Sequence, residues 1–372
     1  MWKISAKSLV ISFIYIIGFF IMGLLVNLHG LLNHRNSRDP PASKQVLSLK
    51  NLRVMRRLLG IDIGGTKCAT SIGNSDGRIL GRREIPTPRL AEDALGLLLK
   101  QALLLLSEHG AVESVGIVCG GPLDSVAGRV LSPPNLPGWD DIPVTSFFSD
   151  RLGLPAFLQN DANAGAMAEW LYGAGKGCRN MMFCTMGTGF GCGLVLEGKL
   201  YEGTNGNAGE LGHVRLSRQG PVGYGKAGSV EGWCSGGGIA QEAKARVEAA
   251  RAQGGRTDLF KCEKLTAQAV AAAAENGDPV ALELFADVGL RLGTALSLAL
   301  DLLNLEKIVI GGIFARREGL IRPSMEAAMK EECLPGALEV CEVLPAALGE
   351  SIGDVAALTV AQIGAEIRCP VN

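Results

Sequence analysis

From Leu58 onward, short apolar runs alternate with polar breaks that carry glycine. Leu58 to Ile63 reads as a buried strand. Gly64-Gly65-Thr66-Lys67 interrupts it, Cys68 to Ile72 resumes it, and Asn74-Ser75-Asp76-Gly77 turns the chain. The same figure recurs further on. Met181 to Met186 is apolar, Gly187-Thr188-Gly189-Phe190-Gly191-Cys192-Gly193 forms a second glycine tip, and Leu194 to Leu196 returns as a strand. Between and after these units the pattern predicts strands at Val115 to Val118, Arg129 to Leu131, Ala156 to Leu158 and Lys307 to Ile310. Helical periodicity marks Leu90 to His109 and Leu265 to Glu275. Asp278-Pro279 opens a long apolar helix to about Leu303, with Asp as cap and Pro in the first turn. Ala164 to Tyr172 has good helix formers and Gly173 as a stop. Leu344 to Ala361 closes the pattern with Leu348-Gly349, Gly353 and a helix of small residues.

The first 54 residues differ in kind. Leu9 to Leu28 is almost wholly apolar, uncharged and long enough to span a bilayer. No A-x-A-like site follows it, which argues against a cleaved signal peptide. Basic residues flank it on both sides, with more after it, which places the following domain in the cytoplasm. A second reading stands beside this one. Met55-Arg56-Arg57-Leu58-Leu59-Gly60 resembles the natural start of a soluble protein, which would make residues 1–54 an over-extended translation start. His34 to Lys50, with Pro40-Pro41, reads as a linker.

Composition narrows the function. The net charge of −1 gives no reason to expect a nucleic-acid partner. The 50 glycines suit tight turns and close backbone approach to ligands. Ten cysteines lie scattered without a C-x-x-C pair, the usage of free thiols in a reducing cytosol.

Candidate chemistry gathers at the breaks. Asp161 sits where a strand gives way to a helix, so free N–H groups and the helix dipole favour its ionised form. Such a carboxylate can take a proton from a hydroxyl, or Asn160 or Asp161 can serve only as an N-cap. Gly64 and Gly65 let backbone N–H groups approach a phosphate, and Thr66 and Lys67 add donors. Asp62, just before them, could hold magnesium through water or be a buried Asp bonded to backbone. Thr188 and Gly189 repeat the phosphate-facing tip. Asn135, in Ser132-Pro133-Pro134-Asn135-Leu136-Pro137-Gly138-Trp139, could offer an amide to a sugar hydroxyl. Glu210, His213 and Glu231 supply the mixed donors and acceptors that sugar hydroxyls need. Gly311-Gly312 suits close approach of adenine or ribose, or else a packing turn. Two phosphate-gripping hairpins across a cleft are the plan of the actin-like ATPases and sugar kinases.

In their order these residues resemble the ROK family, which includes bacterial glucokinases. The resemblance runs from about Leu58 to Ala361. It rests on Asp62-Ile63-Gly64-Gly65-Thr66-Lys67, Gly121-Pro122-Leu123-Asp124, Pro134-Asn135-Leu136-Pro137-Gly138-Trp139 and Asn160-Asp161-Ala162-Asn163-Ala164. Gly187-Thr188-Gly189, Gly209-Glu210-Leu211-Gly212-His213 and Gly311-Gly312 complete it. It implies an α/β fold of two actin-like (ribonuclease H-like) domains with a cleft between them, closing on a hexose, ATP and Mg²⁺. The expected organisation is a leader over 1–54, a small domain over 55–160 completed by a C-terminal helix over 354–372, and a large domain over 161–353. It implies Asp161 as general base, and Asn135, Asn160, Glu210, His213 and Glu231 on the sugar. Gly64 to Lys67, Thr188, Gly189, Gly311 and Gly312 would face the nucleotide. A homodimer is also implied.

Two departures from the family pattern are visible. Members commonly hold zinc with the His and three following cysteines, and those slots here are Val222, Tyr224 and Ser229, so no structural zinc is expected. Gly120 stands where members commonly have Pro. The expected activity is ATP-dependent phosphorylation of a hexose, glucose first, with fructose, mannose or an N-acetylhexosamine as alternatives. A sugar-sensing repressor is the competing class. Its helix-turn-helix would precede the kinase-like fold, where this chain has a hydrophobic span, and the retained Asp161 favours an enzyme.

Overall fold

The computed structural model describes residues 55–368. The apolar span Leu9 to Leu28 and the linker after it lie outside the described residues. Among the described residues no helix is long and apolar enough to cross a membrane.

Two five-stranded sheets with the same topology form the frame. The first half runs β1 (Arg57–Ile63), β2 (Lys67–Asn74), β3 (Ile79–Pro86), helix α1 (Ala91–His109), β4 (Val115–Cys119), the small hairpin β5–β6 (Leu123–Asp124 and Arg129–Val130), α2 (Val144–Leu152) and β7 (Ala156–Asn160). Its sheet order is β3-β2-β1-β4-β7, antiparallel among the first three strands and parallel beyond them. Helix α3 (Asp161–Tyr172) leads into the second half. There follow β8 (Met181–Met186), β9 (Phe190–Leu196), β10 (Lys199–Tyr201), the hairpin β11–β12 (Val222–Gly223 and Lys226–Ala227), α4 (Val230–Cys234), α5 (Gly236–Ala252), α6 (Ala267–Glu275) and α7 (Pro279–Leu303). The chain ends with β13 (Lys307–Gly312), α8 (Ile313–Glu332), α9 (Pro335–Leu338), β14 (Glu342–Pro345) and α10 (Ile352–Arg368). The second sheet, β10-β9-β8-β13-β14, repeats the first: an antiparallel meander, then two parallel strands. This is the actin-like α/β plan.

The sequence explains the core. Strand β4 is buried at every position, as the all-apolar run Val115 to Cys119 requires of a central parallel strand. Asp278 caps α7 by accepting the Ala281 N–H at 2.9 Å, and Thr266 caps α6. Helix α10 returns to the first sheet, where the Ser114 hydroxyl donates to the Ala361 carbonyl at 2.9 Å. Glu169, wholly buried on α3, accepts N–H groups from Ala174, Ala347 and Leu348 at 2.8, 3.2 and 2.9 Å. One carboxylate thus ties the end of α3 to the segment entering α10. Those are the two places where the chain passes between the sheets, and the candidate site lies beside them.

Candidate active site

Strands β1, β4 and β7 run parallel, so their carboxyl ends meet: Ile63 pairs with Cys119, and Cys119 with Asn160. Open α/β sheets bind ligands at such ends. Strand β7 passes into α3 without a loop. Asn160 is the cap, its Oδ1 accepting the Asn163 N–H at 2.7 Å. Asp161 is the first helical residue and accepts the local Ala162 N–H at 2.9 Å. It is open to solvent yet closely walled by protein, the signature of a group in a cleft. This crowding raises its pKa above 3.8, and the charge of Glu210 adds to the rise.

The first glycine tip is closed by the Gly64 N–H on the Lys67 carbonyl at 3.1 Å. Gly65 has to be small, because a Cβ there would stand 2.7 Å from the Asn135 carbonyl oxygen. Asn135 therefore lies directly against the tip, near Gly120. Around the tip runs a chain of charges. Lys67 Nζ is 3.0 Å from Glu84, and Arg82 Nε is 2.7 Å from Asp354 on α10. Asp62 lies against Gly353 at the start of α10. Its pKa is pushed up to about 7, first by burial and then by the charges of Asp354 and Asp161, with Arg82 and Lys67 pulling the other way. The second oxygen of Asp354 is buried without a partner. Carboxylates held this close with incomplete compensation fit a divalent cation. Among the described residues no cluster of three or more His, Cys, Asp and Glu is set to grip a metal. A cation at Asp62 would accordingly take most of its ligands from water and phosphate.

The second glycine tip is held mainly by backbone groups. The Gly187 N–H bonds the Gly189 carbonyl at 3.0 Å. From the first turn of α5, Gly236 donates to the Gly187 carbonyl at 2.8 Å. Glu231 accepts the Phe190 N–H at 3.0 Å, so this sugar-facing candidate is built into the hinge of the tip. Gly311 and Gly312 end β13 beside it. Gly312 has φ +68°, and a Cβ there would collide with the Met186 carbonyl, so packing alone already requires glycine.

Glu210 precedes, and His213 ends, a single 3-10 turn, Leu211–His213. The hairpin β11–β12 grips it from the side. Lys226 Nζ donates to the His213 carbonyl at 2.7 Å, and the Tyr224 ring meets the His213 ring edge-on at 5.0 Å. Gln241 on α5 bonds both backbone groups of Val222 at 3.0 Å. Ser229 caps α4, accepting the Gly232 N–H at 3.1 Å. The three residues at the zinc positions thus have other work: Val222 pairs its backbone, Tyr224 packs on His213, and Ser229 caps the helix that carries Glu231.

Sequence reasoning missed Asp354, Arg82, Lys226 and the first turn of α5. Asp354 carried a signal, as an acid inside a helix of small apolar residues. Arg82 and Lys226 carried none, because their partners are distant in sequence.

The ROK family model matches residues 58–363. A glucokinase of Halalkalibacterium halodurans is 33% identical over 306 residues, which are 80% of this chain and 92% of that protein. An N-acetylmannosamine kinase of Citrobacter koseri is 37% identical over 268 residues, 71% of this chain and 85% of its own. Among solved structures, a ROK family glucokinase from Streptomyces griseus in complex with glucose and AMPPNP superposes with a TM-score of 0.69 at 31% identity, covering 83% of this chain and 100% of that one. The doubled sheet, the paired glycine tips and the matched span agree: the chain belongs to the ROK family.

Proposed function

We propose that the chain is a sugar kinase that moves the terminal phosphoryl group of ATP to a hexose hydroxyl, with glucose as the preferred acceptor. The carrying observation is Asp161 itself: exposed at the carboxyl end of β7, ion-paired to no cation among the described residues, and near enough to Asp62 and Glu210 for their charges to interact. In this reading Asp161 accepts the hydroxyl proton as the oxygen attacks phosphorus. Asn135, Asn160, Glu210, His213 and Glu231 hold the sugar, fixing which hydroxyl faces the base. Backbone N–H groups of the two tips, with Thr66, Lys67 and Thr188, take the phosphate oxygens, so most of the rate comes from positioning and electrostatics. Asp62 would hold a divalent cation, magnesium in the cell, which when bound neutralises charge on the phosphates. Closure of the two halves would keep water from competing with the sugar. A homodimer and a cytoplasmic location go with this reading.

The 37% identity to an N-acetylmannosamine kinase favours N-acylated hexosamines as the second acceptor class. The test is ADP release with a panel of glucose, fructose, mannose, N-acetylglucosamine and N-acetylmannosamine. Glucose with the highest kcat/KM supports the proposal. An N-acetylhexosamine at the top would move the acceptor and keep the chemistry. No acceleration by any hexose would end the kinase reading.

A further inference from the structure

We infer that Glu202 is a positioning residue that couples the Asn160–Asp161 junction to the loop bearing Glu210 and His213; the inference rests on the proposed role of Asp161. Glu202 directly follows β10, at the edge of the second sheet. Gln159 lies next to the end of β7, the edge strand of the first sheet. Gln159 Nε2 donates to Glu202 Oε1 at 2.9 Å, so one hydrogen bond crosses between the sheets.

An ionised carboxylate accepts and cannot donate, so this contact decides which way the Gln159 amide turns. With its nitrogen on Glu202, its oxygen is left to accept the Asn160 backbone N–H at 2.8 Å and Asn163 Nδ2 at 3.3 Å. The Asn163 N–H in turn bonds Asn160 Oδ1 at 2.7 Å. The residues on either side of Asp161 are thereby set by a network whose far end is Glu202. Gln159 and Asn163 are 7% and 1% exposed, too buried for bulk water to stand in for a lost partner. The backbone of Glu202 acts in the other direction. Its carbonyl accepts the Ala208 N–H at 3.1 Å, closing the loop that leads into Glu210. A single residue therefore joins the residue that takes the proton to the residues that hold the sugar. Without its carboxylate the Gln159 amide is free to turn over and point an N–H at the Asn160 N–H.

The test is steady-state kinetics on the full chain with its preferred hexose. Glu202→Leu should lower kcat about tenfold and raise the hexose KM several-fold, the scale of a slight misplacement of reacting groups, while the ATP KM holds. Glu202→Gln keeps an acceptor oxygen at the same reach and should stay within about twofold of wild type. Gln159→Leu removes the whole network and should lose at least as much as Glu202→Leu, and the double variant should be no worse than Gln159→Leu, because Glu202 acts on the junction through Gln159. Losses that multiply in the double variant would overturn the inference, as would Glu202→Gln as impaired as Glu202→Leu, or an ATP KM that rises in step. These outcomes leave the kinase reading intact. A wild-type chain inactive on every hexose would instead overturn that reading, and this inference with it.

Discussion

The two glycine-tipped hairpins occupy equivalent places in equivalent sheets, yet they are built by opposite means. At the β1–β2 tip the surroundings are ionic: Asp62, Asp354, Arg82, Glu84 and Lys67 form a connected set, and Asp62 is pushed up to about 7. At the β8–β9 tip the partners are backbone groups of α5 and one carboxylate, Glu231, bonded to the Phe190 N–H. Repeated topology therefore fixes where a ligand can lie but not how it is held. The ionic half suits a cation and the charged end of a nucleotide. The second half, with its N–H donors and the single Glu231 carboxylate, suits phosphate oxygens and one side of a polyhydroxyl ligand. Asp161 stands at the seam, on the helix that leads from one half to the other.

This contrast can be broken at the seam first. Asp161→Asn keeps the shape and removes the proposed base. It should lower kcat by at least about 10²-fold, with hexose affinity changed far less. A kcat near wild type would remove Asp161 from the chemistry.

The ionic half comes next. Asp62→Asn should lower kcat/KM for ATP by about tenfold or more, through loss of the proposed cation contact. The same change should stabilise the ligand-free protein at alkaline pH. Asp62 titrates in the fold at about 7, above its ordinary 3.8, so the native state binds the proton more tightly than the unfolded chain. Its contribution is fully present below 3.8 and is lost as pH rises through about 7. Asn stays neutral, so Tm at pH 8 should exceed wild type by about 2 °C or more, with the gap closing near pH 4. A lower Tm at pH 8 would show that the charges around Asp62 are better compensated than their geometry implies.

In the second half the effect should be smaller and should fall on the sugar. A Cβ on Gly189 would lie 2.9 Å from Glu231 Oε2, so Gly189→Ala must shift Glu231. The hexose KM should rise about three- to tenfold, within the scale of a small misplacement. An unchanged hexose KM would separate Glu231 from the sugar. The smallest expected effect is none: a strong zinc chelator should leave activity unchanged with magnesium in excess, and elemental analysis should find no stoichiometric zinc. About one bound zinc per chain, with activity lost on its removal, would mean that the β11–β12 hairpin is held by metal after all.

Much of this frame was legible in the residues. The two strand–glycine–strand units, the Asp278 cap and the Asn160–Asp161 junction stand where the apolar runs and breaks put them. What was missed has physical reasons. Strand β3 carries Arg82, Arg83 and Glu84 because only part of it is covered, so it lacks a continuous apolar run. Helix α5 opens with Gly236, Gly237 and Gly238, which read as loop until Ser235 is seen to cap them. Helix α8 contains Pro323 and bends at Arg317, where φ is −133°. The glycines of Gly311-Gly312 were legible as special, but their reason was not: packing against Met186 accounts for Gly312 without any ligand. Contacts between distant residues, such as Lys226 to His213 and Gln159 to Glu202, leave no trace in local pattern.

The central claim is that a cleft carboxylate with a raised pKa takes the proton of the sugar hydroxyl. The most direct test is the pH dependence of kcat at saturating hexose and MgATP, for wild type, Glu210→Gln and Asp161→Asn. Protonated Asp161 cannot accept a proton, so wild-type kcat should fall on the acid side, with a midpoint above the ordinary aspartate value of 3.8. Glu210 is one of the charges raising that pKa, so Glu210→Gln should move the midpoint to lower pH. In Asp161→Asn the acid limb should disappear. An acid limb that survives unchanged in Asp161→Asn, or that moves upward in Glu210→Gln, would contradict the account.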